Sequence, residues 1–97
     1  MIGTRIRELR EKNNILLRQL AAQLDMDTAM LSKMERGDRF FKKENILILA
    51  KIFKQNHKKL LELWLADKII ETIKNEDYQK EALQLALKQI TTDNNIK

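Results

Sequence analysis

The stretch that decides the fold covers residues 16–37 and reads LLRQLAAQLDMDTAMLSKMERG. Leu20, Ala21 and Leu24 are three and four residues apart, so they share one face of a short helix. The apolar rhythm breaks at Asp25, where the pattern predicts that this first helix ends.

A second short helix follows directly. Asp27 offers a side-chain oxygen at its start, Leu31 and Met34 mark its buried side, and Gly37 is suited to a left-handed cap at its end. Two helices joined by about four residues, the second with a polar outer face, make a helix-turn-helix. In that arrangement the second helix can lie in the DNA major groove while the first braces it across the backbone.

The run Leu-Ser-Lys-Met-Glu-Arg-Gly at residues 31–37, together with Leu20 and Ala21, resembles the phage-repressor-like (Xre/Cro) helix-turn-helix family at matching spacing. The resemblance runs from about residue 6 to about residue 61. It implies an all-α fold, a lambda-repressor-like five-helix DNA-binding domain to which one or two extra C-terminal helices are added. Composition agrees, because proline is absent and glycine occurs only twice.

The resemblance also concerns single residues. Leu16 and Leu17 stand where the family has a capping Ser or Thr and a Gln, and Asp25 stands where it has a turn glycine. In the family an arginine at the position of Arg10 pairs with the motif glutamate, here Glu35. We therefore expect a structural ion pair between Arg10 and Glu35, the alternative being a solvated arginine.

Charge is distributed unevenly along the chain. Residues 1–54 contain twelve Lys or Arg and seven Asp or Glu, a net charge of +5, whereas residues 55–97 contain seven of each. A basic excess is typical of proteins that bind nucleic acid or an anionic membrane. Because the excess coincides with the helix-turn-helix, double-stranded DNA is the expected partner.

Two sets of residues are predicted to contact DNA. The outer face of the second motif helix is expected to read bases, the alternative being a merely solvated face, and consists of Thr28, Ala29, Ser32 and Lys33. Basic residues around it are expected to contact phosphates, namely Arg18, Arg36, Arg39, Lys42 and Lys43. Phe40 and Phe41 stand between Arg39 and Lys42. They are predicted to be core anchors, with base stacking as the alternative.

The chain is expected to divide into a DNA-binding domain at residues 1–62, a helical extension at 63–92 and a disordered tail at 93–97. Apolar residues in the extension recur at heptad-like spacing. One interpretation is a hairpin that packs on itself and on the domain. The favoured one is a dimer interface around Leu63, Trp64, Ile70 and Leu87.

These patterns predict a sequence-specific transcriptional regulator acting as a homodimer on a palindromic operator. The alternative is an antitoxin-type protein whose C-terminal helices bind and inhibit a partner protein, with DNA binding for autoregulation. An enzyme is not expected, because Ser32 has no histidine nearby and no glycine-rich loop exists.

Neither a cofactor nor a metal is predicted, because the single histidine, His57, has no second ligand at metal spacing. The chain lacks cysteine, an apolar run near the ~20 residues of a membrane span, and a signal-peptide pattern. We therefore expect a soluble, cytoplasmic protein without membrane contact.

Overall fold

A computed structural model describes residues 1–96, and these residues form helices connected by short turns. The helices are α1 (Ile2–Lys12), α2 (Leu17–Gln23), α3 (Thr28–Arg36), α4 (Lys43–Ile52), α5 (His57–Ile73) and α6 (Gln79–Ile96). Within the described residues no strand occurs, so the predicted all-α class is confirmed. None of these helices combines the length and apolar character that a bilayer span requires.

The hydrophobic core lies among α1–α5. Helix α3 packs against α1 and α2, and α5 packs against α1 and α4. The side chains that are almost completely buried come from four helices and the α3–α4 loop, and they are Ile6, Leu20, Leu31, Phe41, Ile46 and Leu49. Buried residues three or four apart, such as Ile2, Ile6 and Leu9 in α1, give a helix the apolar face that it turns to the core.

Helices α1–α4 all end in a left-handed turn. Gly37 closes α3 with a φ of 85°, and the N–H of Asp38 donates to the carbonyl of Lys33 at 2.8 Å. Asn14, Asp25 and Lys54 adopt the same region with φ of 56°, 54° and 53°. A non-glycine residue pays roughly 1–2 kcal/mol for this conformation, which the satisfied helix-end carbonyls offset.

The first helix begins at Ile2, and Thr4 lies within its first turn, so no hydroxyl caps this helix. The hydrogen-bond acceptor at the start of α1 comes from a residue far along the chain: the N–H of Ile2 donates to Asp67 Oδ2 of α5 at 2.9 Å. Gly3 is buried against α3, where an added Cβ would lie 2.5 Å from the carbonyl oxygen of Met34. The start of α1 is therefore set by tertiary contacts.

Helix α5 runs unbroken through the predicted boundary between residues 62 and 63. Trp64 belongs to the core, with 7% of its surface exposed, and its indole N–H donates to the carbonyl of Phe41 at 2.6 Å. Its expected place in a dimer interface is therefore corrected, because the ring is already covered within one molecule. The disordered tail expected at residues 93–97 stays a prediction; the backbone of residues 93–96 belongs to α6, and Lys97 lies outside the described residues.

Candidate nucleic-acid interface

Helix α3 is built with one buried side and one exposed side. Asp27 caps it, its Oδ1 accepting the N–H of Met30 at 2.7 Å, as the sequence pattern predicted. Leu31 and Met34 are buried beneath it. The four expected base-reading residues share the opposite side, where three are exposed and Ser32 is half-buried: Thr28, Ala29, Ser32 and Lys33.

Helix α2 supports α3 from behind. Leu20 and Ala21 are buried at its contact with α3, and Arg18 is exposed near its first turn. No hydroxyl caps this helix; the side chain of Gln19 reaches back instead, and its Oε1 accepts the N–H of Leu16 at 2.8 Å. Gln19 was missed by sequence reasoning, although its position three residues after the cap is where a capping glutamine stands.

Arg10 and Glu35 are in direct contact between α1 and α3. Arg10 Nε donates to Glu35 Oε2 at 2.8 Å and Nη2 donates to Oε1 at 3.1 Å, a bidentate pair. The two side chains are 14% and 5% exposed. The hydrogen bond to Glu35 raises the pKa of Arg10 above its ordinary value. Since Nη1 also donates to the carbonyl of Ile15, this one guanidinium connects α1, α3 and the loop before α2.

Four basic side chains beside the outer face of α3 are exposed and form no ion pair within residues 1–96: Lys33, Arg39, Lys42 and Lys43. The last three lie in the loop after α3 and at the start of α4. The loop is anchored by buried Phe41 and by Asn45, whose Oδ1 accepts the N–H of Lys42 at 2.9 Å. Basic groups at an ordered site without a carboxylate partner are available for phosphate oxygens.

Arg36 differs from these residues because it already has partners. Its Nε donates to Asp38 Oδ2 at 3.3 Å and its Nη1 donates to Ser32 Oγ at 3.2 Å. The guanidinium therefore lies along the same side of α3 as Ser32. These bonds use two of the five N–H groups of the guanidinium, so Arg36 can contact a phosphate with the other three.

The two phenylalanines of the loop have different environments. Phe41 is 2% exposed and its carbonyl accepts the Trp64 hydrogen bond, so its predicted role as a core anchor is confirmed. Phe40 is 45% exposed, and the same prediction for it is wrong. Adjacent residues of an extended segment point in opposite directions, so only one of them can enter the core.

A braced helix with an exposed polar face, followed by unpaired basic residues, defines a helix-turn-helix DNA-binding domain. Comparison with protein families gives the same result: the helix-turn-helix family model matches residues 6–60, more than half of the chain. The chain belongs to this family, the Xre and lambda-repressor-like group that the sequence resembles, and it is a DNA-binding transcription regulator. No curated protein and no solved structure matches the chain significantly.

Proposed function

We propose that the protein regulates transcription by binding a specific, palindromic operator as a homodimer, acting by occupancy of the DNA. The observation that carries the specificity is the outer face of α3, where Thr28, Ala29 and Lys33 are exposed together. Lys33 can donate to guanine O6 or N7, and the methyl groups of Thr28 and Ala29 can contact a thymine methyl. Ser32 adds a hydroxyl that can donate or accept.

The affinity is proposed to come from phosphate contacts. Arg39 and Lys42 lie in the loop after α3 and Lys43 begins α4, none of them paired with a carboxylate within residues 1–96. Arg18 is exposed on α2. Each phosphate contact contributes roughly −0.9 to the slope of log K against log salt concentration. Because these contacts hold any duplex equally, they position the protein and leave discrimination between sequences to the α3 face and to DNA shape.

The homodimer is proposed because one recognition helix reads only a few base pairs, whereas a two-fold dimer doubles the site. Its interface is expected in the C-terminal helices, at Leu63, Ile70 and Leu87. Ile70 and Leu87 are 50% and 65% exposed, and Leu63 is partly buried. Exposed leucine and isoleucine side chains at helical spacing support an association surface there.

The experiment is in vitro selection of random duplexes with the purified protein at near-physiological salt. We expect enrichment of an inverted repeat with half-sites about 10 base pairs apart. A variant with Lys33→Ala and Thr28→Ala serves as the matched control and should lose the enriched motif while still retaining duplexes at low salt. If the unaltered protein enriches no motif, the proposed sequence-specific function is contradicted.

A second candidate is the antitoxin-type function, in which the C-terminal helices bind and inhibit another protein. The exposed side chains of Leu85 and Leu87 on α6 support it, because they offer apolar surface away from the DNA-binding domain. Sedimentation of the purified chain separates the two candidates. A dimer favours the operator-binding regulator, whereas a monomer that retains an exposed α6 favours a heterologous partner.

A further inference from the structure

Helix α5 reverses its sidedness halfway along its length. In its first half, Leu60 and Trp64 face the core and are buried. In its second half the polar residues face the protein's own domain: Asp67 accepts the N–H of Ile2, and Lys68 Nζ lies 3.9 Å from the centre of the Trp64 ring. A helix at a water-facing surface normally carries its polar residues on the outside. The second half of α5 has the opposite arrangement.

The side of α5 that points away from the domain is apolar. This α5 outer face consists of Leu65, Ile69 and Ile73, which follow one another at four-residue spacing. Ala66 and Ile70 flank it and line clefts shared with α1. Leu65, Ile69 and Ile70 are about half exposed. A contiguous apolar face of this kind marks a surface that another structure covers.

Helix α6 carries a second uncovered face. Residues at three- and four-residue spacing place Leu83, Ala86, Leu87 and Ile90 on one side, the α6 apolar face. The opposite side carries Glu81, Leu85 and Thr92, and is polar apart from Leu85. All of these side chains are exposed. Helices in proteins are stabilised chiefly by packing of an apolar face against another surface, so the α6 apolar face is expected to be covered.

The two faces lie on one chain and do not cover each other, since the side chains of both remain exposed within a single molecule. After α5, Gln79 Nε2 donates to the carbonyl of Ile73 at 2.7 Å, and Tyr78 adopts a φ of 64°. These features define how α6 leaves α5. Covering both faces therefore requires a second molecule.

A second copy of this chain fits both faces. Each face extends over about two helical turns, roughly 11–12 Å at 1.5 Å per residue, so their lengths match. Residues 55–97 carry seven basic and seven acidic side chains, so two copies of this half meet without net repulsion. We propose, building on the homodimer of the proposed function, that the copies exchange helices: the α6 apolar face of each copy packs along the α5 outer face of the other.

The absence of native cysteine permits a direct test. Single-cysteine variants of the full chain at Leu65 or Ile69 on α5 are mixed with variants at Leu83 or Leu87 on α6, refolded together and oxidised. Helix exchange brings at least one of these four pairs within the Cα separation of about 4.4–6.8 Å that a disulfide allows. We expect a disulfide that joins an α5 variant to an α6 variant. Glu81→Cys on the opposite side of α6 is the matched control and should not crosslink.

Substitution provides an independent measure. Because the dimer would bury two Leu87 side chains, one from each copy, Leu87→Lys is expected to raise the dimer dissociation constant by about 100-fold or more. Thr92→Lys, which introduces the same charge on the opposite side of α6, should leave the dissociation constant within about threefold. Both variants retain the buried core of α1–α5, so their helical signal and thermal unfolding show whether the domain is intact.

The outcomes separate this proposal from the proposed function. Helix exchange is overturned if crosslinks form only between two Leu87→Cys chains. It is also overturned if a double variant, with one cysteine on α5 and one on α6, forms a disulfide within a single chain. Neither result bears on operator binding, which the duplex selection tests separately. A dimer without any α5–α6 crosslink overturns exchange alone. A monomer at all concentrations overturns exchange and the homodimer together, whether or not a DNA motif is enriched.

Discussion

Arg10 donates two hydrogen bonds to Glu35, from Nε at 2.8 Å and from Nη2 at 3.1 Å, and so connects α1 to α3. Glu35 is the charged residue of α3 that points inward, and only 5% of its side chain is exposed. Pairing with Arg10 is what allows a carboxylate to lie at this position, because an unpaired buried charge is strongly destabilising.

The first prediction concerns this pair. Glu35→Gln should lower the free energy of unfolding by about 3 kcal/mol, because it leaves the Arg10 guanidinium partly buried opposite a neutral group. Urea denaturation measures the change. Glu11→Gln, which breaks the exposed pair between Arg7 and Glu11, is the control and should cost less than about 1 kcal/mol. If the two variants lose the same free energy of unfolding, the buried Arg10–Glu35 pair stabilises the fold no more than an exposed pair does.

The second prediction uses the sign of a stability change at Gly3. In an open helix, Gly→Ala stabilises by roughly 0.5–1 kcal/mol. At Gly3 the added methyl group would lie 2.5 Å from the carbonyl of Met34 and 2.6 Å from that of Glu35, so α1 and α3 must separate. Gly3→Ala should therefore destabilise by about 1–3 kcal/mol in thermal or urea unfolding.

Thr4→Ala supplies the comparison for Gly3, since Thr4 is exposed in the same helix turn. It should leave the free energy of unfolding unchanged or raise it slightly, because alanine is the better helix former. A gain in stability for Gly3→Ala would mean that α1 and α3 do not approach as closely as described.

The third prediction distinguishes contacts with DNA bases, which depend on sequence, from contacts with DNA phosphates, which do not. Lys33→Ala should cost about 1–3 kcal/mol on the selected operator and little on random DNA, because Lys33 lies on the exposed face of α3. Lys43→Ala should weaken binding to every duplex alike and reduce the salt slope by about 1. Fluorescence anisotropy on specific and random duplexes over a salt series measures both, and equal losses for Lys33→Ala on the two duplexes would exclude base reading by Lys33.

The fourth prediction follows from the position of Trp64. Trp64→Phe removes the donor to the buried carbonyl of Phe41 and should destabilise the domain by about 1–3 kcal/mol, measured by urea unfolding. Tyr78→Phe alters an exposed aromatic residue and should change stability by less than about 0.5 kcal/mol. In sedimentation, the Trp64→Phe dimer should keep its dissociation constant; a large rise would place Trp64 in the interface after all.

Features set by neighbouring residues were accessible from the sequence. The cap at Asp27, the left-handed ends at Asp25 and Gly37, and the buried residues Leu20 and Leu31 all follow from spacing and side-chain chemistry within a few positions. The pairing of Arg10 with Glu35 was suggested by family resemblance, because residues 25 positions apart have no local pattern that connects them.

Tertiary structure alone decided the long-range contacts. Asp67 serves as the cap of α1 from 65 positions away, and Gly3 is required where two helix backbones meet, so neither has a local signature. Trp64 has the same apolar character as Ile70, yet one enters the core and the other faces solvent, because the direction of α5 against α1 and α4 sets which side is covered. The sequence by itself thus determined which segments form the helix-turn-helix, through short-range periodicity. The packing of α5 determined which of its apolar residues stabilise the domain and which remain for another molecule.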